Sequence, residues 1–341
     1  MAKKVKRFIV PIFISNQGCP HRCIFCDQKR ITGEEKIGPE SVERIIKTAI
    51  SSKRFSKQQG IEVAFYGGTF ASLPLSYIKE LLEPVKKYIE DGIVKEIRIS
   101  TRPDSINEKV LGILKQYHVK TVELGAQSFD DNVLRLSKRG HSAEDIVNSF
   151  YMLKEHGFKV GIQLMPGLPG DTKEVFRKSI EKTLELIPDM VRLYPTVVIK
   201  GTELEELYNK KLYRPLSLQE AIDMCVEAVL ALEMKGIPVI RIGLMNSESL
   251  VKNIVAGPWH PAFGFLVRSR VFIEKCVIPQ LKKSKIKDKV VIFINPKVIP
   301  LLRGHKNEGI RMIEEETGVK IKKVLADDSI LEENKIKLEA V

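Results

Sequence analysis

Near its start the sequence reads Gly18-Cys19-Pro20-His21-Arg22-Cys23-Ile24-Phe25-Cys26-Asp27. Three of the five cysteines fall in this segment with the spacing Cys-x3-Cys-x2-Cys, directly after an apolar run at residues 8–14 that predicts a buried strand. Thiolates bind soft or borderline metals, so the segment indicates an iron–sulfur or a zinc site. Three thiolates leave one iron of a four-iron cubane open. A structural zinc ion would need a fourth ligand, from His21, Cys225, Cys276 or a more distant residue.

Outward from this segment, short apolar runs alternate with longer amphipathic ones. The apolar runs predict strands at residues 8–14, 62–66, 96–100, 121–124, 160–164, 190–195 and 239–242. The amphipathic runs predict helices at residues 41–52, 76–88, 108–117, 143–156, 172–186 and 218–234. This alternation predicts a parallel sheet, because parallel neighbours need a crossover connection. We expect an α/β fold, a partial (β/α)6-type barrel of six or seven units, with functional residues on loops at the carboxyl ends of its strands.

The pattern changes after residue 245. Residues 246–285 contain a rigid turn with the only Trp of the sequence, followed by a predicted helix at residues 265–280. Residues 286–341 predict a small basic α+β domain, with strands at 290–294 and 319–325 and helices at 296–302 and 309–317. We therefore expect three parts: the barrel at 1–245, a connecting segment packed on it at 246–285, and the small domain at 286–341.

The charge balance indicates a polyanionic partner. The 56 lysines and arginines outnumber the 43 aspartates and glutamates, for a net charge of +13. Nucleic acid is favoured over a membrane surface because no basic amphipathic anchor is present, and the alternative is the lysine-rich surface of a thermophile or an AT-rich organism. No apolar run is long enough for a membrane span or a signal peptide, so we expect a cytoplasmic protein with reduced thiols. Cys225 and Cys276 lie in helical patterns and are expected to be core residues.

The cysteine spacing, its place after the first strand and Phe25 before the last cysteine resemble the radical S-adenosylmethionine (SAM) enzymes. The resemblance implies that Cys19, Cys23 and Cys26 hold a [4Fe-4S] cluster and that SAM chelates the open iron. It also implies the reaction: the reduced cluster gives one electron to SAM, and the resulting 5′-deoxyadenosyl radical takes a hydrogen atom from the substrate. An electron donor such as flavodoxin or ferredoxin is then expected as a partner.

Segments at the ends of the next predicted strands resemble the SAM-binding motifs of this family. Gly67, Gly68 and Thr69 resemble the glycine-rich turn whose backbone and adjoining residue bind the methionine amine. Ser100 and Arg102 are suited to the SAM carboxylate, an Arg by its bidentate fork. The alternative is that Asp104 caps a helix and that Arg102 is solvated.

Three further segments carry the resemblance. The sequence Gly-x-Gln-Ser-Phe around Gln127 is nearly identical in coproporphyrinogen dehydrogenase and in the Elongator catalytic subunit, which implies a cofactor contact. Arg139 lies in an Arg-Gly-His segment and is implied as a SAM carboxylate ligand, whereas His141 is better explained as a helix cap. Gly167 lies in a turn that resembles the one packed on the adenine. Gln163 departs from the acidic residue of some relatives.

Segments at residues 191–195, 200–204 and 256–261 look most like the Elongator catalytic subunit, a tRNA-modifying radical SAM protein. The cysteine spacing is narrower than in that subunit, and no segment matches its acetyltransferase domain, so the resemblance does not imply the acetyl-CoA half of its chemistry. Cysteines for a second cluster are absent from the sequence, which counts against sulfur insertion.

The last part of the sequence resembles a KH RNA-binding module, which clamps nucleotides with a Gly-x-x-Gly turn between two helices. Gly304-His305-Lys306-Asn307 stands at that turn, with Asn307 in place of the second glycine. Asn tolerates a left-handed backbone better than most residues, so the turn can form. The alternative to RNA binding is a purely structural cap.

These observations predict a radical SAM enzyme of RNA modification, acting on tRNA or rRNA. Two alternatives stay open at the level of sequence. One is a radical SAM enzyme that acts on a small acidic metabolite such as a porphyrin. The other is a non-enzymatic RNA-binding protein with a zinc or redox-sensing centre.

Overall fold

The computed structural model describes residues 8–28, 30, 37–53 and 55–341. They form two compact units. The first is the described part of Met1–Ser217 together with Lys235–Trp259, and the second is Leu218–Met234 together with His260–Val341. Within the described ranges no helix is long and apolar enough to cross a membrane. The predicted boundaries at 245/246 and 285/286 stay a prediction.

The first unit is built on a parallel sheet which, over the described residues, has seven strands in the order β1-β2-β3-β4-β5-β6-β8. The strands are β1 Phe8–Phe13, β2 Ile61–Tyr66, β3 Val94–Thr101, β4 Val119–Gln127, β5 Lys159–Leu164, β6 Met190–Leu193 and β8 Val239–Ile242. All neighbours run parallel, so every carboxyl end lies at the same edge of the sheet. The predicted α/β class is confirmed.

Helices connect the first six strands of this sheet in chain order. Their bounds are Pro39–Ile50, Leu75–Glu90, Glu108–Gln116, Ala143–Glu155 and Lys173–Leu186. Three of them begin at side-chain caps, since Asn107, Ser142 and Thr172 each accept a hydrogen bond from a backbone amide of the first turn. Crossover helices of this kind cover one face of a parallel sheet and bury its apolar side chains.

The sheet is curled, and its concave face is polar. Arg192 in β6 donates a hydrogen bond to the hydroxyl of Tyr66 at the end of β2 over 2.7 Å, although three strands separate the two in the sheet. In β3 the apolar Ile97 and Ile99 are fully buried, whereas Arg98 between them bonds to carboxylates of the neighbouring strands. The curled parallel sheet is the predicted partial barrel.

Shorter elements of the first unit escaped the sequence patterns. They are the antiparallel pair β7 Val198–Ile199 and β9 Ile254–Ala256, and the helices Asp131–Leu136, Glu203–Asn209 and Glu248–Asn253. Trp259, in the predicted rigid turn, packs on the apolar cluster of Val197, Ile199 and Leu250 beneath this small sheet.

The second unit contains the helices Leu218–Met234 and Phe263–Phe272. The second of these continues through a π-helical turn at Ile273–Val277 into the helix Ile278–Lys283. Its mixed sheet has the order β11-β10-β12, formed by β10 Lys289–Ile294, β11 Lys320–Ala326 and β12 Ile336–Ala340. The helices Ile299–Arg303 and Glu308–Thr317 flank the turn at residues 304–307. The predicted order of strand, helix, turn, helix and strand is present, whereas β12 was not predicted.

Candidate active site

The cysteine loop follows the carboxyl end of β1 and lies against the turn after β2. The carbonyl of Gln17 accepts a hydrogen bond from the Thr69 amide over 2.8 Å, and Cys19 Sγ lies 3.3 Å from Thr69 Oγ1. Gly18 has a φ of +71°, and a Cβ there would collide with the Thr69 carbonyl. The structure therefore brings the first cysteine and the predicted glycine-rich turn together.

Glycine is required at positions 67 and 68 of this turn for two different structural reasons. Gly67 has a φ of +87°, which favours glycine. Gly68 has no room for a side chain, since a Cβ would collide with the carbonyls of Gln17 and Ile14. Backbone thus meets backbone between the two loops, a close approach that any side chain at Gly68 would push apart.

Arg139 reaches the second cysteine from the loop after the helix Asp131–Leu136. Its Nη1 donates to Cys23 Sγ over 3.0 Å and its Nη2 to the Gly125 carbonyl over 2.6 Å. Its Nε is buried and finds no hydrogen-bond partner in the part of the chain that the structure describes. A buried N–H without an acceptor is a place where a ligand oxygen would fit.

Arg102 is buried behind Arg139. It forms a two-pronged ion pair with Asp104, with both nitrogen to oxygen distances at 2.9 Å, and it donates to the backbone carbonyl of Arg139. Its Nη1 is buried and lacks a partner among the described residues. The alternative that Arg102 is merely solvated is wrong, because the residue is 4 % exposed.

The glutamine of the fourth strand has a backbone conformation that is uncommon for its type. Gln127 is buried with a φ of +72°, and its Oε1 accepts a hydrogen bond from Gln163 Nε2 over 3.0 Å. The departure at Gln163 therefore places an amide donor beside Gln127. Ser100 is half-buried on β3 and pairs in register with Glu123 of β4.

The turn after β5 is tied to its surroundings at Gly167. The Gly167 amide donates to Asp171 Oδ2 over 2.9 Å, and its carbonyl accepts from the Tyr213 hydroxyl over 2.6 Å. Neighbouring Met165 and Leu168 form an apolar cluster on which Phe25 of the cysteine loop packs. The predicted adenine-contacting turn and the cysteine loop therefore share a small core.

His141 has the properties of a structural residue. Burial, and then the positive charges of Arg139 and Arg102, lower the pKa of His141 to about 3, so its imidazole is neutral. Ser142, rather than His141, caps the helix that follows, in a capping box with Asp145.

The residues present fit an iron–sulfur cluster. Burial, and then the nearby thiols of Cys23 and Cys19, raise the pKa of Cys26 to about 12, so three thiolates here need added positive charge, which iron supplies. Among the described residues no three His, Cys, Asp or Glu side chains converge on one metal position. A cubane takes each thiolate at a different iron, so its thiols need no common point. The partnerless nitrogens of Arg102 and Arg139 suit a carboxylate of the kind that SAM carries.

Comparison with known proteins now decides the family. The radical SAM superfamily model matches residues 13–183, which hold all three clustered cysteines. This chain belongs to the radical SAM superfamily. A [4Fe-4S] cluster and SAM are accordingly its cofactors. The radical SAM C-terminal domain model matches residues 188–272.

Two curated relatives of this radical SAM protein are informative. It is 30% identical to the tRNA uridine(34) acetyltransferase of Methanocaldococcus infernus over 63% of its own length and 48% of that protein's. It is also 30% identical to an uncharacterized protein of Methanocaldococcus jannaschii, over 75% of its own length and 81% of that protein's. The chain thus spans about half the length of the acetyltransferases it matches.

A solved structure supports the fold. The archaeal Methanocaldococcus infernus Elp3, with an N-terminal deletion, superimposes with a TM-score of 0.61 at 26% identity, over 79% of this chain and 62% of that one. The resemblance to Elongator-type proteins noted from the sequence is confirmed, as is the partial radical SAM barrel.

The concave face of the radical SAM barrel holds residues to which the sequence assigned no role. Tyr66, Arg192 and Tyr194 lie together at the carboxyl ends of β2 and β6. A signal was present, because Tyr66 directly precedes the glycine-rich turn and Arg192 and Tyr194 alternate with apolar residues. That alternation marks one face of a strand but does not tell the concave face from solvent.

Proposed function

We propose that this chain is a radical SAM enzyme that cleaves SAM reductively at its [4Fe-4S] cluster and thereby starts hydrogen abstraction from an RNA substrate, in tRNA modification. The observation that carries the proposal is the single site formed by the three cysteines, the glycine-rich turn and Arg139. Cys19, Cys23 and Cys26 hold the cluster in this proposal. When bound and reduced, the cofactor pair supplies a 5′-deoxyadenosyl radical.

The predicted cofactor residues divide the binding of SAM among them in this proposal. Gly67, Gly68 and Thr69 offer backbone groups and a hydroxyl beside Cys19. Arg139 and Arg102 offer buried N–H groups to the carboxylate, with Ser100 close by on β3. Gln127 offers its amide to a hydroxyl of the nucleoside, and Gly167 lies in the turn that packs on the adenine. The work of the chain is to bind and orient SAM and to exclude water.

Three observations support RNA as the substrate. A relative that is 30% identical over 63% of this chain is named a tRNA uridine(34) acetyltransferase. The net charge of +13 suits a polyanion. The second unit has the order of strand, helix, turn, helix and strand that was predicted for the KH-like domain. Among RNAs, tRNA is favoured over rRNA by the name of that relative alone.

The reductant in this proposal is a small acidic redox protein such as flavodoxin or ferredoxin, in the reducing cytoplasm that free thiols require. An open groove beside the cysteine loop supports its access. The volume of this groove is about 810 Å³, and the exposed cations Arg22, Arg135 and Lys138 lie on its walls together with Asp131 and Asp145.

A direct test uses anaerobic reconstitution of the chain with iron and sulfide, followed by reduction in the presence of SAM. We expect 5′-deoxyadenosine to be released, and we expect Cys26→Ala to abolish both the cluster absorbance and the release, because one iron loses its protein ligand. Cys276→Ala is the matched control, since this cysteine lies at the edge of the second unit's core, and it should keep both. A single tightly bound zinc ion, or release that persists in Cys26→Ala, would end the proposal.

A further inference from the structure

Arg192 holds two tyrosine hydroxyls side by side on the concave face of the sheet. Its Nη1 donates to Tyr194 over 2.8 Å and its Nη2 to Tyr66 over 2.7 Å. The guanidinium carbon also lies 4.9 Å from the centre of the Tyr66 ring. Because the two nitrogens belong to one rigid guanidinium, the two hydroxyls are fixed relative to each other.

Both hydroxyls are acceptors toward Arg192, so each keeps its own proton for another partner. In the part of the chain that the structure describes, neither proton has an acceptor. Burial, and then the negative charge of Glu123, raise the pKa of Tyr66 to about 12, which keeps this hydroxyl protonated at neutral pH. The arrangement is a pair of oriented O–H donors.

The charge beneath this pair is balanced. Arg192 Nε lies 2.8 Å from Glu123, and Arg98 bridges Glu123 and Glu62. The buried Arg98 and the partly buried Arg192 therefore face two buried anions. A carboxylate ligand would need an uncompensated cation, whereas a neutral acceptor oxygen is satisfied by hydroxyl donors alone. The pair favours a carbonyl oxygen over a carboxylate.

The pair lies next to the SAM site. Tyr66 directly precedes Gly67 in the chain. Tyr194 follows β6, donates its amide to the Leu164 carbonyl over 2.9 Å, and packs on the same apolar cluster as Phe25 of the cysteine loop. A ligand that accepts hydrogen bonds from both hydroxyls is thereby held beside the cofactor, on the concave face of the sheet.

We propose that Tyr66 and Tyr194, held by Arg192, form the substrate-positioning pair of this enzyme and donate hydrogen bonds to carbonyl oxygens of an RNA base, for which the name of the tRNA uridine(34) acetyltransferase relative favours uracil. The inference rests on the proposed function, which it deepens by naming the group of the RNA that enters the site. It disfavours, as substrates, the carboxylate-rich metabolites that the sequence analysis left open.

The test compares Tyr66→Phe and Tyr194→Phe with Tyr151→Phe, a control on an exposed tyrosine of the helix Ala143–Glu155. The probe is an unmodified anticodon stem-loop with uridine at the wobble position. We expect each of the first two variants to raise the half-saturating RNA concentration for RNA-stimulated 5′-deoxyadenosine release by about three- to tenfold, the net value of one hydrogen bond. Anisotropy of the labelled stem-loop on the cluster-loaded chain without reductant gives the same comparison without turnover.

A substrate-side change makes the test specific for the hydroxyls. A stem-loop with 4-thiouridine at the wobble position replaces one carbonyl oxygen by a poor acceptor. For the tyrosine that contacts this oxygen, the losses from the variant and from the thiouridine should not add, because both remove the same hydrogen bond. A loss that is merely structural would add.

The outcomes separate the inference from the proposed function. If the stem-loop stimulates release, but Tyr66→Phe and Tyr194→Phe have the same half-saturating RNA concentration as Tyr151→Phe, the proposed pair is wrong. The proposal of an RNA substrate would then still stand. Stimulation by a tetracarboxylate porphyrin precursor instead of the stem-loop would overturn both. No stimulation by either probe, in an enzyme that cleaves SAM, would also overturn both.

Discussion

At the scale of single residues, Asp171 couples the turn at Gly167 to pH. Burial is the main cause that raises the pKa of Asp171 from 3.8 to about 7, and the Gly167 amide bonded to Oδ2 only partly opposes it. The unfolded chain therefore ionises this carboxyl at lower pH than the folded chain does. Its contribution to the free energy of unfolding is complete below pH 4 and is lost as the pH rises to about 7.

We expect Asp171→Asn to remove this loss, because an amide keeps the acceptor for Gly167 and carries no charge. The unfolding midpoint of the cluster-loaded variant, relative to the unmodified chain, should rise between pH 5.5 and pH 8, by an amount equivalent to on the order of 1 kcal/mol or more. Anaerobic thermal unfolding at several pH values measures it. Asp91→Asn, at an exposed helix end, is the control, and a difference that is flat or falls with pH would contradict the assignment.

At the scale of elements, the contact between the cysteine loop and the turn after β2 depends on Gly68. A Cβ at this position meets two backbone carbonyls that cannot rotate away, so we expect Gly68→Ala to displace the loop at a cost of about 1–3 kcal/mol. Iron content after reconstitution and the thermal midpoint should both fall. Gly112→Ala is the control, since Gly112 has open space in the helix Glu108–Gln116, and helix propensity should stabilise it slightly. Equal iron content in the two variants would show that the loops tolerate separation.

The same elements show what the sequence can predict. The strands of the large sheet were predictable, because each is a short apolar run and the segments between them are long enough to show the period of an amphipathic helix. The pair Val198–Ile199 and Ile254–Ala256 was not, because two or three residues carry no period. The role of the three cysteines as cluster ligands is predicted from their spacing and stays a prediction. The contact of Arg139 with Cys23 joins loops far apart in the sequence, and no local pattern encodes such a contact. Likewise, Tyr66 and Arg192 meet only because the sheet curls.

At the scale of the whole molecule, the proposed RNA binding has two separable sources, the net charge of +13 and the KH-like turn at residues 304–307. Positive charge anywhere on the protein surface attracts RNA. Binding of the RNA backbone at the KH-like turn, in contrast, needs cations at the turn itself. Arg303 and Lys306 are exposed at this turn, where Arg303 Nη1 donates to Asn307 Oδ1 over 3.2 Å. Lys210 and Lys211 are exposed at the end of the helix Glu203–Asn209 in the first unit.

Two charge-reversal pairs distinguish these contributions. We expect Arg303→Glu with Lys306→Glu to weaken binding of an unmodified tRNA transcript by about tenfold or more at 0.1 M salt, and to flatten the slope of log affinity against log salt by about one to two, because phosphate contacts are lost. Lys210→Glu with Lys211→Glu changes the net charge equally and should cost much less. Filter binding across a salt series measures both. Equal losses would mean that bulk charge attracts the RNA and that the turn is a structural cap, and an affinity independent of salt would argue against phosphate contacts altogether.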